Sequence, residues 1–131
     1  MKLSAILEKA QYSLLQGDID VDISDIVYDS RKAAAGVVFV CMVGAVVDGH
    51  EYVAKALENG AVALVVEREI AEIPAGVTVV KVASARETLA YMSAAFFGYP
   101  ANELVTVGIT GTKGKTTSTY MLKSVLEKTG A

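Results

Sequence analysis

Ten residues, Gly108-Ile109-Thr110-Gly111-Thr112-Lys113-Gly114-Lys115-Thr116-Thr117, carry the clearest chemistry in this 131-residue chain. Glycines in the run let backbone N–H groups turn inward and approach an anion closely. A helix predicted from Thr116 to Lys128 adds unpaired N–H donors and a partial positive charge at its start. Lys115 would put a formal charge beside the β- and γ-phosphates of a nucleotide, and the Thr116 hydroxyl is suited to a Mg²⁺ ion. Leu104 to Ile109 reads as a short buried strand. Strand, glycine loop, Lys-Thr and helix thus stand in the order that holds a polyphosphate. The spacing departs from the usual phosphate loop, which would need glycine at position 109, where Ile stands. The other reading is a strand-to-helix turn that binds nothing, but packing alone hardly accounts for Gly-Lys-Thr-Thr at a helix start.

Two further segments carry candidate chemistry. Tyr28-Asp29-Ser30-Arg31 closes a predicted strand. Ser30 has a hydroxyl for phosphate or sugar oxygens, and Arg31 offers a planar cationic fork. The alternative is a turn in which Asp29 and Ser30 bond local backbone N–H groups. Gly44-Ala45-Val46-Val47-Asp48-Gly49-His50 is a loop entering a helix, with Asp-Gly as its turn signal. His50, the only histidine, reads as a structural residue that caps or packs against that helix. No second histidine, cysteine pair or carboxylate cluster accompanies it in the sequence to suggest a metal site.

These segments need a frame, and the pattern along the chain supplies one. Leu3, Ile6, Leu7, Ala10 and Leu14 recur at helical spacing and predict a first helix over 3–15, stopped by Gly17. Strands are predicted over 23–28, 37–43, 61–66 and 77–82. Glu51 to Asn59 reads as a helix closed by Gly60. Ser84-Ala85-Arg86-Glu87 has the form of a capping box that starts a helix running to about Phe97. Helices between strands indicate an α/β fold. The breaker cluster Gly98-Tyr99-Pro100-Ala101-Asn102 marks a boundary between residues 1–100 and residues 101–131.

Composition narrows the function classes. Hydrophobic residues make up 53% of the chain and the mean hydropathy is +0.42, which suggests strands covered on both faces. The net charge of −3 argues against a nucleic-acid partner. Residues 1–100 hold eight basic and thirteen acidic groups, residues 101–131 four and two, so the positive part coincides with the phosphate loop. The single cysteine, Cys41, sits in an apolar strand and reads as a buried thiol. The uncharged run Ala33–Val47 is shorter than the ~20 residues that span a bilayer and is divided by glycines. No membrane partner and a cytoplasmic location are therefore expected.

The loop at 108–117 resembles the ATP loop of the Mur ligases, ATP-dependent amide-bond-forming enzymes that build the peptidoglycan stem peptide. Folylpolyglutamate synthetases are relatives. Within the family, Gly-Thr-x-Gly-Lys-Thr-Thr is most similar to the enzymes adding the third residue; those adding D-alanyl-D-alanine more often have Ser where Thr112 stands. Asp29-Ser30-Arg31, the Gly36 and Phe-Val strand after it, and Gly44 to His50 resemble the family's uridine-nucleotide-binding domain.

The resemblance implies an amino-terminal α/β domain for the UDP-N-acetylmuramoyl substrate over 1–100. The first strand, phosphate loop and helix of a truncated ATPase domain would follow over 101–131. It implies ATP and Mg²⁺ as cofactors, held by Gly111, Thr112, Lys113, Gly114, Lys115, Thr116 and Thr117, with Lys115 catalytic and Thr116 at the metal. It assigns substrate contacts to Tyr28 and Ser30, beside Arg31, and to Ala45, Val46 and Val47. Those last three are small and apolar where relatives often have polar residues, so their contacts would run through the backbone. The substrates implied are UDP-N-acetylmuramoyl-L-alanyl-D-glutamate and a diamino acid, with further catalytic and Mg²⁺ ligands expected beyond residue 131. A fragment of this extent is expected to ligate nothing and hydrolyse no ATP, and to self-associate through the apolar side of the helix at 116–128. Outside the family, the alternatives are a small phosphate-loop kinase or GTPase, and a binding domain with a vestigial loop.

Overall fold

A five-stranded sheet organises residues 1–100, and the computed structural model describes residues 1–103 of the chain. Strands β1 (Ser13–Gln16), β2 (Ile26–Val27), β3 (Val38–Val40), β4 (Ala63–Val66) and β5 (Thr78–Lys81) lie in the order β1-β5-β4-β3-β2. β2 to β5 run parallel, and β1 is antiparallel on the β5 edge. Helices α1 (Leu3–Ile6), α2 (Val53–Glu58) and α3 (Ala85–Phe96) complete the unit Met1–Pro100.

The central strands are buried on both faces, as their unbroken Val, Ala, Leu and Phe content requires. Alternation along each strand splits the core in two. Val38, Val40, Ala63, Val65 and Val80 pack with α1 and with Met92 of α3. Phe39, Cys41, Leu64, Val66 and Val79 point the other way and pack with Val53 and Ala56 of α2. Cys41 is fully buried, and burial pushes its thiol up to about 12.

Local signals place several elements where the pattern expects them. The Ser84 hydroxyl accepts from the Glu87 N–H at 3.3 Å and caps α3. Glu87 does not complete a reciprocal box, because its carboxylate takes the Tyr91 hydroxyl at 3.3 Å instead. Gly60 closes α2 at φ +107°, against Ala35 backbone atoms that would lie 2.8 Å from a Cβ.

The predicted helix over 3–15 is the clear correction. α1 ends at Ile6, and Ser13–Gln16 is a strand whose Ser13 and Leu14 pair with Lys81 and Val80. The N–H groups of Leu3 and Ser4 are taken by the carbonyls of Val21 and Ile19, which ties the start of α1 to the loop after β1. Pairing supplies partners for the exposed edge of β5, and such tertiary hydrogen bonds override a weak helical preference. Leu14, assigned by periodicity to a helical core face, is 45% exposed on that strand. The predicted strand over 23–28 contracts to β2, and the helix predicted at Glu51 begins as a 3-10 turn, Gly49–Tyr52, ahead of α2.

Candidate functional site

The carboxyl ends of β2 and β3 each run into the same local device. After β2, Asp29 accepts the Arg31 backbone N–H at 3.0 Å and starts a 3-10 turn, Ser30–Lys32. After β3, Asp48 accepts the His50 backbone N–H at 3.0 Å and starts the 3-10 turn Gly49–Tyr52. An aspartate bonding the backbone two residues on is a favoured turn-former, so both turns are local consequences of the sequence. Adjacent parallel strands then bring them side by side at one end of the sheet, where open α/β folds leave a crevice.

A cleft of about 500 Å³ lies between the two turns. Tyr28, Asp29, Ser30 and Arg31 form one wall, Met42, Gly44, Val47 and Gly49 the other, and Phe39 and Tyr52 close it. The 42–49 wall is a hairpin-like loop, joined by a Val43–Asp48 bridge and by Gly44 N–H donating to Val47 O at 2.8 Å. Of the residues proposed from sequence, Tyr28, Ser30, Arg31 and Val47 line the cleft. Ala45 and Val46 do not. Both are exposed at the loop tip, Val46 at 96%. Gly111, Thr112, Lys113, Gly114, Lys115, Thr116 and Thr117, and the helix at 116–128, lie outside the described residues.

Ser30 is distinctive in this wall. It is only 7% exposed, and its hydroxyl has no hydrogen-bond partner among the described residues. Ser30 is itself one of the residues lining the cleft. A nearly buried hydroxyl without a partner among the described residues is one a ligand can satisfy. Asp29 follows the turn reading instead, engaged by Arg31 Nε at 3.0 Å and Nη2 at 2.8 Å. The Arg31 side chain's hydrogen bonds hold the Asp29 carboxyl down at about 2, and Asp29 in turn raises Arg31. Arg31 is 85% exposed at the mouth and keeps further N–H donors of its fork for an anion.

The second turn is wired differently. His50 is buried, its Nδ1 2.6 Å from Asp48 Oδ1, and its Nε2 accepts the Glu67 N–H at 3.0 Å. Since Nε2 is an acceptor, the ring proton is on Nδ1 and donates to Asp48. His50 is thus the satisfied structural residue that its isolation in the sequence suggested. Asp48 also takes Arg68 Nη1 at 2.6 Å. The His50 backbone N–H, the His50 ring and Arg68 together hold its carboxyl well below the usual range. Sequence reasoning missed Met42, Tyr52 and Arg68, whose roles depend on chain segments meeting in space. Among the described residues, no group of three or more His, Cys, Asp or Glu could hold a metal ion, and no helix is long and apolar enough to cross a membrane.

Residues 22–97 match the model of the Mur ligase family, catalytic domain. The chain is 45% identical over 130 residues to a UDP-N-acetylmuramoyl-L-alanyl-D-glutamate–2,6-diaminopimelate ligase of Clostridium acetobutylicum, covering 99% of this chain and 27% of that protein. It is 45% identical over 128 residues to the ligase of the same name in Caldanaerobacter subterraneus, covering 98% and 26%. Among solved structures, MurF from Acinetobacter baumannii aligns with a TM-score of 0.74 at 29% identity, over 98% of this chain and 27% of that one. MurF ligase from Thermotoga maritima in complex with ADP aligns with a TM-score of 0.59 at 30% identity, over 82% and 24%. The chain spans about a quarter of the length of these relatives.

Proposed function

The chain belongs to the Mur ligase family, and on that premise we propose that its cleft receives the uridine-nucleotide end of UDP-N-acetylmuramoyl-L-alanyl-D-glutamate. The observation that carries this is Ser30, nearly buried in the cleft wall, with no hydrogen bond from its hydroxyl to another described residue. Ser30 would bond a sugar or phosphate oxygen, Arg31 would meet the diphosphate from the mouth, and the Tyr28 and Tyr52 rings would flank the planar base. Val47 would contribute packing and backbone; Ala45 and Val46 would act only through the shape of the loop tip.

On this reading residues 1–100 are the substrate-binding domain and residues 101–131 begin the ATP-binding domain. Gly111 to Thr117 would hold ATP, with Lys115 at its phosphates and Thr116 at Mg²⁺; the ADP complex of the Thermotoga relative supports an adenine nucleotide as the ligand. When bound, the nucleotide supplies the phosphoryl group that activates a carboxylate for amide formation. The whole protein would be a cytoplasmic ligase adding a diamino acid to the dipeptide substrate. Identities of 45% to diaminopimelate ligases, against 29–30% to MurF proteins, favour that acceptor over D-alanyl-D-alanine.

The test is calorimetric titration of the 131-residue chain with UDP-N-acetylmuramoyl-L-alanyl-D-glutamate. Saturable binding is expected, and Ser30→Ala should weaken it by about 1–3 kcal/mol for a lost buried hydrogen bond. Identical curves for the two proteins would show that the Ser30 hydroxyl does not bond the ligand.

A further inference from the structure

We propose that Arg68, His50 and Glu67 form a brace behind the cleft that holds the Gly44–Gly49 loop in its ligand-receiving shape. Arg68 and His50 are then positioning residues that set affinity without touching the ligand. The inference rests on the reading of the cleft as a ligand site.

The loop has little else to hold it. Gly44 to Val47 is exposed, and one hydrogen bond closes its turn. Yet it carries three cleft-lining positions, Gly44, Val47 and Gly49. Its order therefore depends on its base, where the loop rejoins the end of β3 through the Val43–Asp48 bridge and the Gly49 N–H bond to Met42 O at 2.7 Å.

Asp48 sits at that base with both carboxylate oxygens engaged. Oδ1 takes the His50 N–H and the His50 ring, and Oδ2 takes Arg68 at 2.6 Å. The other ring nitrogen is fixed by the Glu67 N–H at the end of β4. Glu67 then passes the connection on, its Oε1 accepting the Ala85 N–H at 2.7 Å at the start of α3. The loop is thereby tied to the end of β4 and the start of α3, and the links made at the Asp48 and Glu67 carboxylates are charge-assisted and stronger than neutral ones. None of Asp48, His50, Glu67 and Arg68 lines the cleft. The His50 side chain is only 1% exposed, so it reaches no ligand directly.

A purely structural role predicts something else. Arg68 is 57% exposed, and exposed ion pairs contribute little to global stability. A brace makes Arg68 matter far more to binding than to unfolding.

The experiment uses the 131-residue chain, with UDP-N-acetylmuramoyl-L-alanyl-D-glutamate as the probe. Arg68→Ala is expected to weaken binding by about tenfold, the factor equivalent to ~1.4 kcal/mol, while the thermal midpoint moves by no more than about 4 °C. Arg68→Lys should recover part of the affinity by restoring the charge. Backbone ¹⁵N relaxation of Arg68→Ala should show the 44–49 amides losing order while the 29–32 amides do not. His50→Asn keeps a donor toward Asp48, and His50→Gln keeps an acceptor toward Glu67, so each should bind better than His50→Ala. Wild-type affinity and unchanged loop relaxation in Arg68→Ala would overturn the brace, as would a loosened loop with unchanged affinity. If the wild-type chain binds nothing, the cleft reading fails and takes the affinity claim with it. The relaxation data would then show separately whether these residues hold the loop.

Discussion

Gly49→Ala tests how tightly the cleft loop is seated. A Cβ added at Gly49 would stand 2.7 Å from Met42 N, 2.9 Å from Met42 O and 3.1 Å from Cys41 C. All three are backbone atoms of the chain leaving β3, so no side-chain rotation relieves the overlap. Relaxing the closest contact to about 3.5 Å moves the loop outward by roughly 0.8 Å. The same retreat stretches the 2.7 Å Gly49–Met42 bond past the ~3.2 Å at which such bonds weaken. Overpacking of this kind costs about 1–3 kcal/mol, and a compromised hydrogen bond adds about 1 kcal/mol. Reduced freedom of the unfolded chain returns about 0.4–1 kcal/mol. The net is a loss of about 1–4 kcal/mol, or roughly 4–30 °C in a domain of this size. Gly76→Ala is the control, because a Cβ there meets nothing within 4 Å and the residue has no positive φ. It should gain the ~0.4–1 kcal/mol entropic term alone. Urea unfolding followed by circular dichroism, with m compared across the set, measures both. Equal midpoints for the two variants would refute the steric argument.

The remaining expectations concern ionisation. Asp48 and Asp29 have folded pKa values below the unfolded 3.8, with Asp29 at about 2. Their contribution to stability is therefore complete above about pH 4 and lost as pH falls toward and below 2. Stability measured in urea between those pH values should fall less steeply in Asp48→Asn than in the wild type, and parallel slopes would count against the ion pairs. Cys41, fully buried with its thiol pushed up to about 12, should resist a thiol-specific reagent at pH 8 until the protein unfolds. Labelling of the native chain at the rate of a free thiol would show that β3 opens without global unfolding.

What could be read in advance follows the range of the forces involved. The capped start of α3, the glycine after α2 and the aspartate-led turns at 29–31 and 48–50 arise from contacts within about four residues. The strands at β3, β4 and β5 follow from apolar content that only a doubly covered sheet accommodates. The Asp29-Ser30-Arg31 and Gly44–His50 segments stood out for their residue types, but their adjacency did not. It exists because β2 and β3 are parallel neighbours whose carboxyl ends face the same way.

Leu14 and Val46 show where local reading stops. The spacing of Leu14 fits a helix as well as any residue between 3 and 15, yet it lies on a strand because β5 has an open edge. Gln16 at the end of that strand bonds the Pro74 carbonyl, 58 residues away. Val46 shares a loop with Val47, but a single turn bond sends one to solvent and the other to the cleft. The burial of Ser30, and the proton on Nδ1 of His50, depend likewise on which distant groups come near. The sequence alone determined the residue types, the local turns and the α/β alternation. Tertiary structure alone decided which of those residues share a cleft, because long-range pairing fixes relative position only after the chain has paid the entropy of bringing its segments together.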